Sequence, residues 1–215
     1  MKKEKQGNLL FSICMLTAFL IWTLATKFVD VQAISAGGTN VGFATVNRYI
    51  HSLTGVNMPL YVLTDRLGLV PIAIAGGFAV IGSVQWLKRK SIFKVDLDII
   101  ALGIFYAVVI LLFFFFEAVV INYRPILIEG DLEASYPSST TMLVMCVMPT
   151  TVFEIKRRIR HNSLRRFLVL MCFAFTVFMV TARLLSGVHW LSDIIGGALL
   201  STAMVSIYIY VCNLR

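Results

Sequence analysis

Apolar residues recur along the chain in runs of about 20, the length a helix needs to cross the hydrocarbon core of a bilayer. The runs predict spans near residues 9–27, 67–87, 97–121, 139–156, 167–185 and 192–212. The expected fold class is all-α: a polytopic membrane helix bundle with six transmembrane helices, forming a single domain over residues 1–215. Residues 28–66 break the pattern. The segment "SAGGTN" punctuates that stretch, whereas "VGFATVNRYIHSLTGV" has the spacing of an amphipathic helix lying at the membrane interface. A plain connection between the first two spans is the other reading of this loop.

Composition supports the membrane assignment. The chain is 59% hydrophobic and 14% charged, a balance that excludes an ordinary soluble domain. The apolar runs extend over the whole length, so a signal peptide alone does not account for them. The first run follows Lys2, Lys3 and Lys5 and lacks a small-residue cleavage site, so it is expected to remain as a span.

The net charge of +8 raises the question of a nucleic-acid partner, but the positions of the basic residues answer it. With a cytoplasmic amino terminus, the inner side receives Lys2, Lys3, Lys5, Lys88, Arg89, Lys90, Lys94, Lys156, Arg157, Arg158, Arg160, Arg165, Arg166 and Arg215, fourteen of the 19. Retention of positive loops on the cytoplasmic side explains that bias, puts both termini inside, and requires no nucleic acid. Short loops and the lysine-rich inner side point to a bacterial plasma membrane. The four cysteines, at 14, 146, 172 and 212, lie within apolar runs without metal-ligand spacing and read as packing residues.

On the outer side the same topology collects polar residues that are costly at membrane depth unless paired or functional. Arg124 precedes Pro125, where a helix should stop. It either snorkels to headgroups or, with Arg183, offers planar multidentate hydrogen bonds to one phosphate. Pro137, Ser138 and Ser139 precede the fourth run as a proline, cap and helix start. A plain cap and an anion cradle of first-turn amides are compatible readings. His189 and Asp193 are four apart, so on a helix beginning near Trp190 they share a face. A carboxylate–imidazole pair there would fix the tautomer and make the other ring nitrogen a nucleophile.

With these residues in place the chain resembles the membrane-bound type 2 phosphatidic acid phosphatase family, which includes bacterial undecaprenyl-diphosphate phosphatases. That family carries Lys-x6-Arg-Pro, Pro-Ser-Gly-His and Ser-Arg-x5-His-x3-Asp motifs. Here the third runs from Ala182 and Arg183 through His189 to Asp193, the second is Pro137, Ser138, Ser139, Thr140, and the first is Glu117 followed by Arg124 and Pro125. The likeness spans roughly residues 60–212. It implies that His189 is the nucleophile of a phosphohistidine intermediate and that Asp193 orients it. It further implies that Arg124, Arg183, Ser138 and Ser139 hold the phosphoryl oxygens, and that no metal or other cofactor is needed.

Two positions depart from the motifs. Thr140 stands where the family has the histidine that protonates the leaving group, and Glu117 where it has a phosphate-binding lysine. Threonine cannot serve as a near-neutral acid, and loss of such help costs about 10²–10⁴-fold. A diphosphate, whose leaving group tolerates negative charge, suffers less than a monophosphate. The expected function is therefore hydrolysis of an isoprenoid, undecaprenyl-type diphosphate at the extracytoplasmic face. The alternative is a weakened or inactive lipid-phosphate binding, transfer or transport protein of the same fold. Glu117 either stays protonated and donates, or pairs with Arg183 or with Arg124, which lies about two helical turns beyond Glu117 and so could share its face. The partner in either case is a membrane lipid phosphate.

Overall fold

The computed structural model describes residues 2–214; Met1, Arg215 and the side chains of residues 2–6, hence those of Lys2, Lys3 and Lys5 in the inner-side count, lie outside the described residues. Eight α-helices are found among the described residues: α1 (Lys2–Phe28), α2 (Ala44–Thr54), α3 (Met58–Leu67), α4 (Leu69–Arg89), α5 (Leu97–Ala118), α6 (Ser139–Arg158), α7 (Asn162–Leu185) and α8 (Leu191–Cys212). Two short strands, β1 (Gln32–Ala33) and β2 (Asn40–Val41), pair antiparallel around the "SAGGTN" turn. They and two isolated antiparallel bridges, Tyr123 with Ala134 and Ile128 with Asp131, are the β-structure in an otherwise all-α architecture among the described residues.

Five segments are long and apolar enough to cross a membrane: Gly7–Phe28, Met58–Arg89, Leu97–Ala118, Asn162–Leu185 and Leu191–Cys212. The sequence analysis expected six. The expected fourth span is present as α6, which has the length but not the apolar composition. Its position accounts for this. Helix α6 packs between α7 and α8, and Thr141, Thr150, Thr151 and Glu154 are all buried, so most of its surface meets protein rather than lipid. The second expected span also changes: α3 and α4 meet at Gly68 to give one long apolar segment. The third stops at Ala118, three residues short of the expected end.

The helices run alternately, so the bundle has two chemically different ends. At one end Glu154, 1% exposed, accepts from Tyr208 Oη and Arg158 Nε, both at 2.7 Å. Arg158 continues to Asp98 at 2.9 Å and Asp96 at 3.3 Å. These bonds tie α5, α6 and α8 together beside the lysine- and arginine-rich turns. At the other end lie the heads of α6 and α8. Between them the core is aromatic: Tyr136 stacks on Phe19, meets Phe116 edge-on and hydrogen-bonds Thr23 at 2.7 Å. Its ring fits because residue 196 is glycine; a Cβ there would stand 2.5 Å from a Tyr136 ring carbon.

Helix α4 is less closely embraced. Much of it is exposed, and Gly76 and Gly77 face open space. Between α4 and α5 run two adjoining apolar cavities of about 500 and 720 Å³ that share Ile72, Ala75, Tyr106 and Ile110. The cysteines are unpaired; Cys146 and Cys212 are buried and Cys14 is exposed. Cys14 is therefore not the interior packing residue that its apolar run suggests.

Candidate active site

The loop 186–190 carries His189, and the first polar segment holds that loop in place. The amide of Asn57 donates to Ser186 O at 3.0 Å, and His51 Nε2 lies 3.1 Å from Gly187 O. Gly187 adopts φ +68, and a Cβ on it would lie 1.9 Å from Gly55 O. Gly187→Ala therefore meets both a left-handed backbone, worth about 1–3 kcal/mol, and a collision with main chain that cannot move aside cheaply. We expect a lower unfolding temperature in detergent and loss of any His189-dependent activity; a melting curve coincident with the parent would refute the clamp.

His189 is 3% exposed. Its Nδ1 lies 3.1 Å from Ser135 O, and a carbonyl only accepts, so Nδ1 carries the proton and donates. This leaves Nε2 with the lone pair. Nε2 is buried without a hydrogen-bond partner among the described residues. The side chain lines a cavity of about 10 Å³ together with Glu117, Ser135, Pro137 and Ser139.

The expected His189–Asp193 pair is looser than the sequence suggests, with Nδ1 and Oδ2 3.8 Å apart. Helix α8 begins at Leu191, so His189 lies outside the helix on whose face it was placed. Asp193 instead caps that helix. Its Oδ2 accepts from the Trp190 amide at 2.9 Å and its Oδ1 from Asn122 Nδ2 at 3.1 Å. Asn47 completes this buried network, donating to Ser192 Oγ at 2.9 Å and accepting from the Ser192 amide at 3.1 Å. The carbonyl of Ser135 thus fixes the imidazole tautomer, while Asp193 fixes the turn that carries it.

The two arginines converge on one ring. The Arg183 guanidinium carbon lies 4.8 Å from the centroid of Tyr61, and that of Arg124 lies 5.9 Å from it. Arg183 is 2% exposed and donates through Nη1 to Thr64 Oγ1 at 3.2 Å, with Nε unpartnered. It has no ion pair among the described residues. Arg124, 7% exposed, sits with Nε 3.0 Å from Glu133 Oε2, out of line for a hydrogen bond, and its Nη1 is unpartnered. An uncompensated buried charge costs several kcal/mol. Arg183 is such a charge, Arg124 is balanced only by the partly exposed Glu133, and both act on the bare imidazole nitrogen of His189, an arrangement, or socket, that suits an anion.

The head of α6 faces the same region. Ser138 caps the helix: its amide donates to Asp193 O at 3.1 Å and its hydroxyl accepts from the Thr141 amide at 3.4 Å, a role that leaves its O–H able to donate. The amides of Ser139 and Thr140, in the first turn, have no intrahelical acceptor and can meet an anion.

Glu117 does not pair with either arginine among the described residues. It is exposed, and because α5 ends at Ala118 the chain from there to Arg124 is not helical, so the shared face is lost. Thr140 lines the apolar cavity of about 500 Å³, where it is joined by Asp65.

Tyr61, Thr64, Asn47, Asn122 and Glu133 were not singled out from the sequence. For Tyr61 and Thr64 a signal was present: Asn57 and Pro59 mark a helix start, and Asn57 Oδ1 does accept from the Leu60 amide at 3.0 Å. Three-residue spacing then puts Tyr61 and Thr64 on one face of that helix. Which face of the bundle they would meet was not written in the pattern.

Burial, and then the positive charges of Arg124 and Arg183, push the His189 imidazole well below the ordinary histidine value of 6.5. The ring is nucleophilic only when neutral. Its contribution is present above the folded-state value and is lost as pH falls through it, so the acid limb of kcat/KM should lie below pH 6.5. A limb at or above that value, measured over pH 4–9 in detergent, would contradict this electrostatic picture. The same ring favours the folded state above its unfolded value, and that stabilisation fades in acid.

These features define an integral membrane protein in which two buried arginines and a buried histidine converge at one end of a helix bundle. The chain belongs to the PAP2 superfamily, a family of membrane lipid-phosphate phosphatases, which it matches over residues 103–215. That region holds most of α5, all of α6 to α8 and all three motif-like segments. A search of curated proteins finds no match. Among solved structures, the chain is similar to one described as the first transmembrane PAP2-type phosphatidylglycerolphosphate phosphatase from Bacillus subtilis. The two are 16% identical with a TM-score of 0.65, over 93% of this chain and 94% of that one. At that identity the likeness establishes the fold, including most of the first 102 residues, which the family match does not reach.

Proposed function

We propose that the protein hydrolyses a lipid diphosphate, with an isoprenoid tail, through a phosphohistidine on His189. The observation that carries this reading is the convergence of unpartnered buried atoms, His189 Nε2, Arg124 Nη1 and Arg183 Nε, beside the head of α6. His189 Nε2 attacks the terminal phosphorus. The bond to the bridging oxygen breaks, and the lipid monophosphate departs with its electron pair. Arg124, Arg183 and the amides of Ser139 and Thr140 balance the charge on the transferring group, the main burden in phosphoryl transfer. Water then cleaves the phosphohistidine. Every step uses side chains and backbone of this chain alone.

The groove between α4 and α5 supports a lipid leaving group. It is apolar over most of its length, and its upper cavity reaches Ser139 and Thr140. We further read α6 as the sixth span, α2 as an interfacial helix, both termini as cytoplasmic, and the socket as facing outward from a bacterial plasma membrane. The socket lies at the end opposite the basic turns, which supports that orientation by the positive-inside bias. Labelling of a cysteine placed at Lys156 by an impermeant reagent in intact cells would reverse it.

The direct test is phosphate release in detergent from an isoprenoid diphosphate and its matched monophosphate. Preferential turnover of the diphosphate is expected. Saturable binding of both lipids with no release would instead favour a binding or transfer protein, the reading to which Thr140 lends weight.

A further inference from the structure

Resting on the phosphohistidine reading, we propose that Asp65 is the base that activates water in the second half of the reaction, in the place that Thr140 leaves empty. In-line displacement puts the departing group opposite the nucleophile, and the hydrolytic water must enter from the side just vacated. The two cavities at the head of α6 carry different groups. His189 lines the small cavity and not the large one; Asp65 and Thr140 line the large one and not the small one; Ser139 lines both. With the transferring phosphorus placed at Ser139, where the cavities share a wall, His189 serves one side as nucleophile and Asp65 the lipid side.

The other candidates fail on position or chemistry. Thr140 shares the right cavity but cannot take a proton near neutrality. Glu117 lines the nucleophile's cavity, where no water can attack in line. Asp65 is a carboxylate on α3, the helix that also supplies Tyr61 and Thr64 to Arg183, and its charge acts on that guanidinium. It is exposed at the mouth of the groove, so water reaches it once the lipid has gone.

The step balances. The water oxygen forms a bond to phosphorus, its proton passes to the Asp65 carboxylate, and the P–N bond breaks with its electron pair returning to His189 Nε2. Inorganic phosphate leaves, and Asp65 returns its proton to solvent.

The experiment is rapid mixing of full-length protein in detergent with an isoprenoid diphosphate labelled at the terminal phosphate. Quenching in alkali, where N-phosphoryl bonds survive, then separates protein-bound label from free phosphate. For Asp65→Asn we expect labelled enzyme to form to the parental level, its decay and steady-state release to slow by about 10²-fold, and Asp65→Asn/Thr140→His to recover most of that loss. Decay at the parental rate in Asp65→Asn would overturn the proposal, as would a parallel loss of labelling and release at unchanged melting temperature. If the parent protein turns over yet never carries label, the phosphohistidine reading itself fails, and that outcome is distinct from either.

Discussion

Replacing His189 with alanine is expected to lower phosphate release by on the order of 10⁴-fold or more while leaving lipid diphosphate binding in place. The two halves of this expectation have different origins. The imidazole is held by the Ser135 carbonyl with Nε2, which carries its lone pair, buried and unpartnered. The guanidiniums of Arg124 and Arg183 are held independently of it, Arg183 by Tyr61 and Thr64 and Arg124 by Tyr61 and the Glu133 carboxylate. Removing the ring leaves one buried carbonyl without its donor, a cost of about 1–3 kcal/mol, so the variant's melting temperature should be read beside its activity. Release retained within tenfold of the parent would eliminate His189 as nucleophile. Release lost together with binding would mean that the ring mainly supports the socket.

The helices were legible because a bilayer imposes a simple ruler: the helix ends of α1, α7 and α8 near the socket fall where the apolar runs end. The exception, α6, is informative. Its hydroxyls and Glu154 dilute an apolar run, and a helix walled by α7 and α8 tolerates them because Thr150 and Thr151 donate to carbonyls one turn back in α6 itself and Glu154 accepts from Tyr208 of α8. The socket was legible only in part. Arg124, Arg183, His189 and the head of α6 are brought together as expected. The expected partners are redistributed, because spacing along the chain cannot tell which acceptor a side chain prefers. His189 turns to a backbone carbonyl 54 residues away in sequence, and Asp193 turns to Asn122 and its own helix terminus. The Glu117–Arg124 pairing failed for a related reason: it assumed two further turns of helix where α5 has already stopped.

Replacing Thr140 with histidine is expected to raise hydrolysis of a lipid monophosphate by about 10²-fold or more, and to change diphosphate turnover by less than about tenfold. The asymmetry follows from the leaving groups. An alkoxide must be protonated as it departs, whereas a lipid monophosphate leaves carrying its own charge. Position 140 is half-buried and opens on a cavity of about 500 Å³, so an imidazole fits without displacing the core. If the monophosphate remains inert while the diphosphate turns over, the leaving side of the socket does not reach residue 140, and the division of the two cavities fails with it. If neither lipid reacts until Thr140→His is made, the parent chain is a phosphate-binding form of this fold in which the missing acid alone prevents turnover.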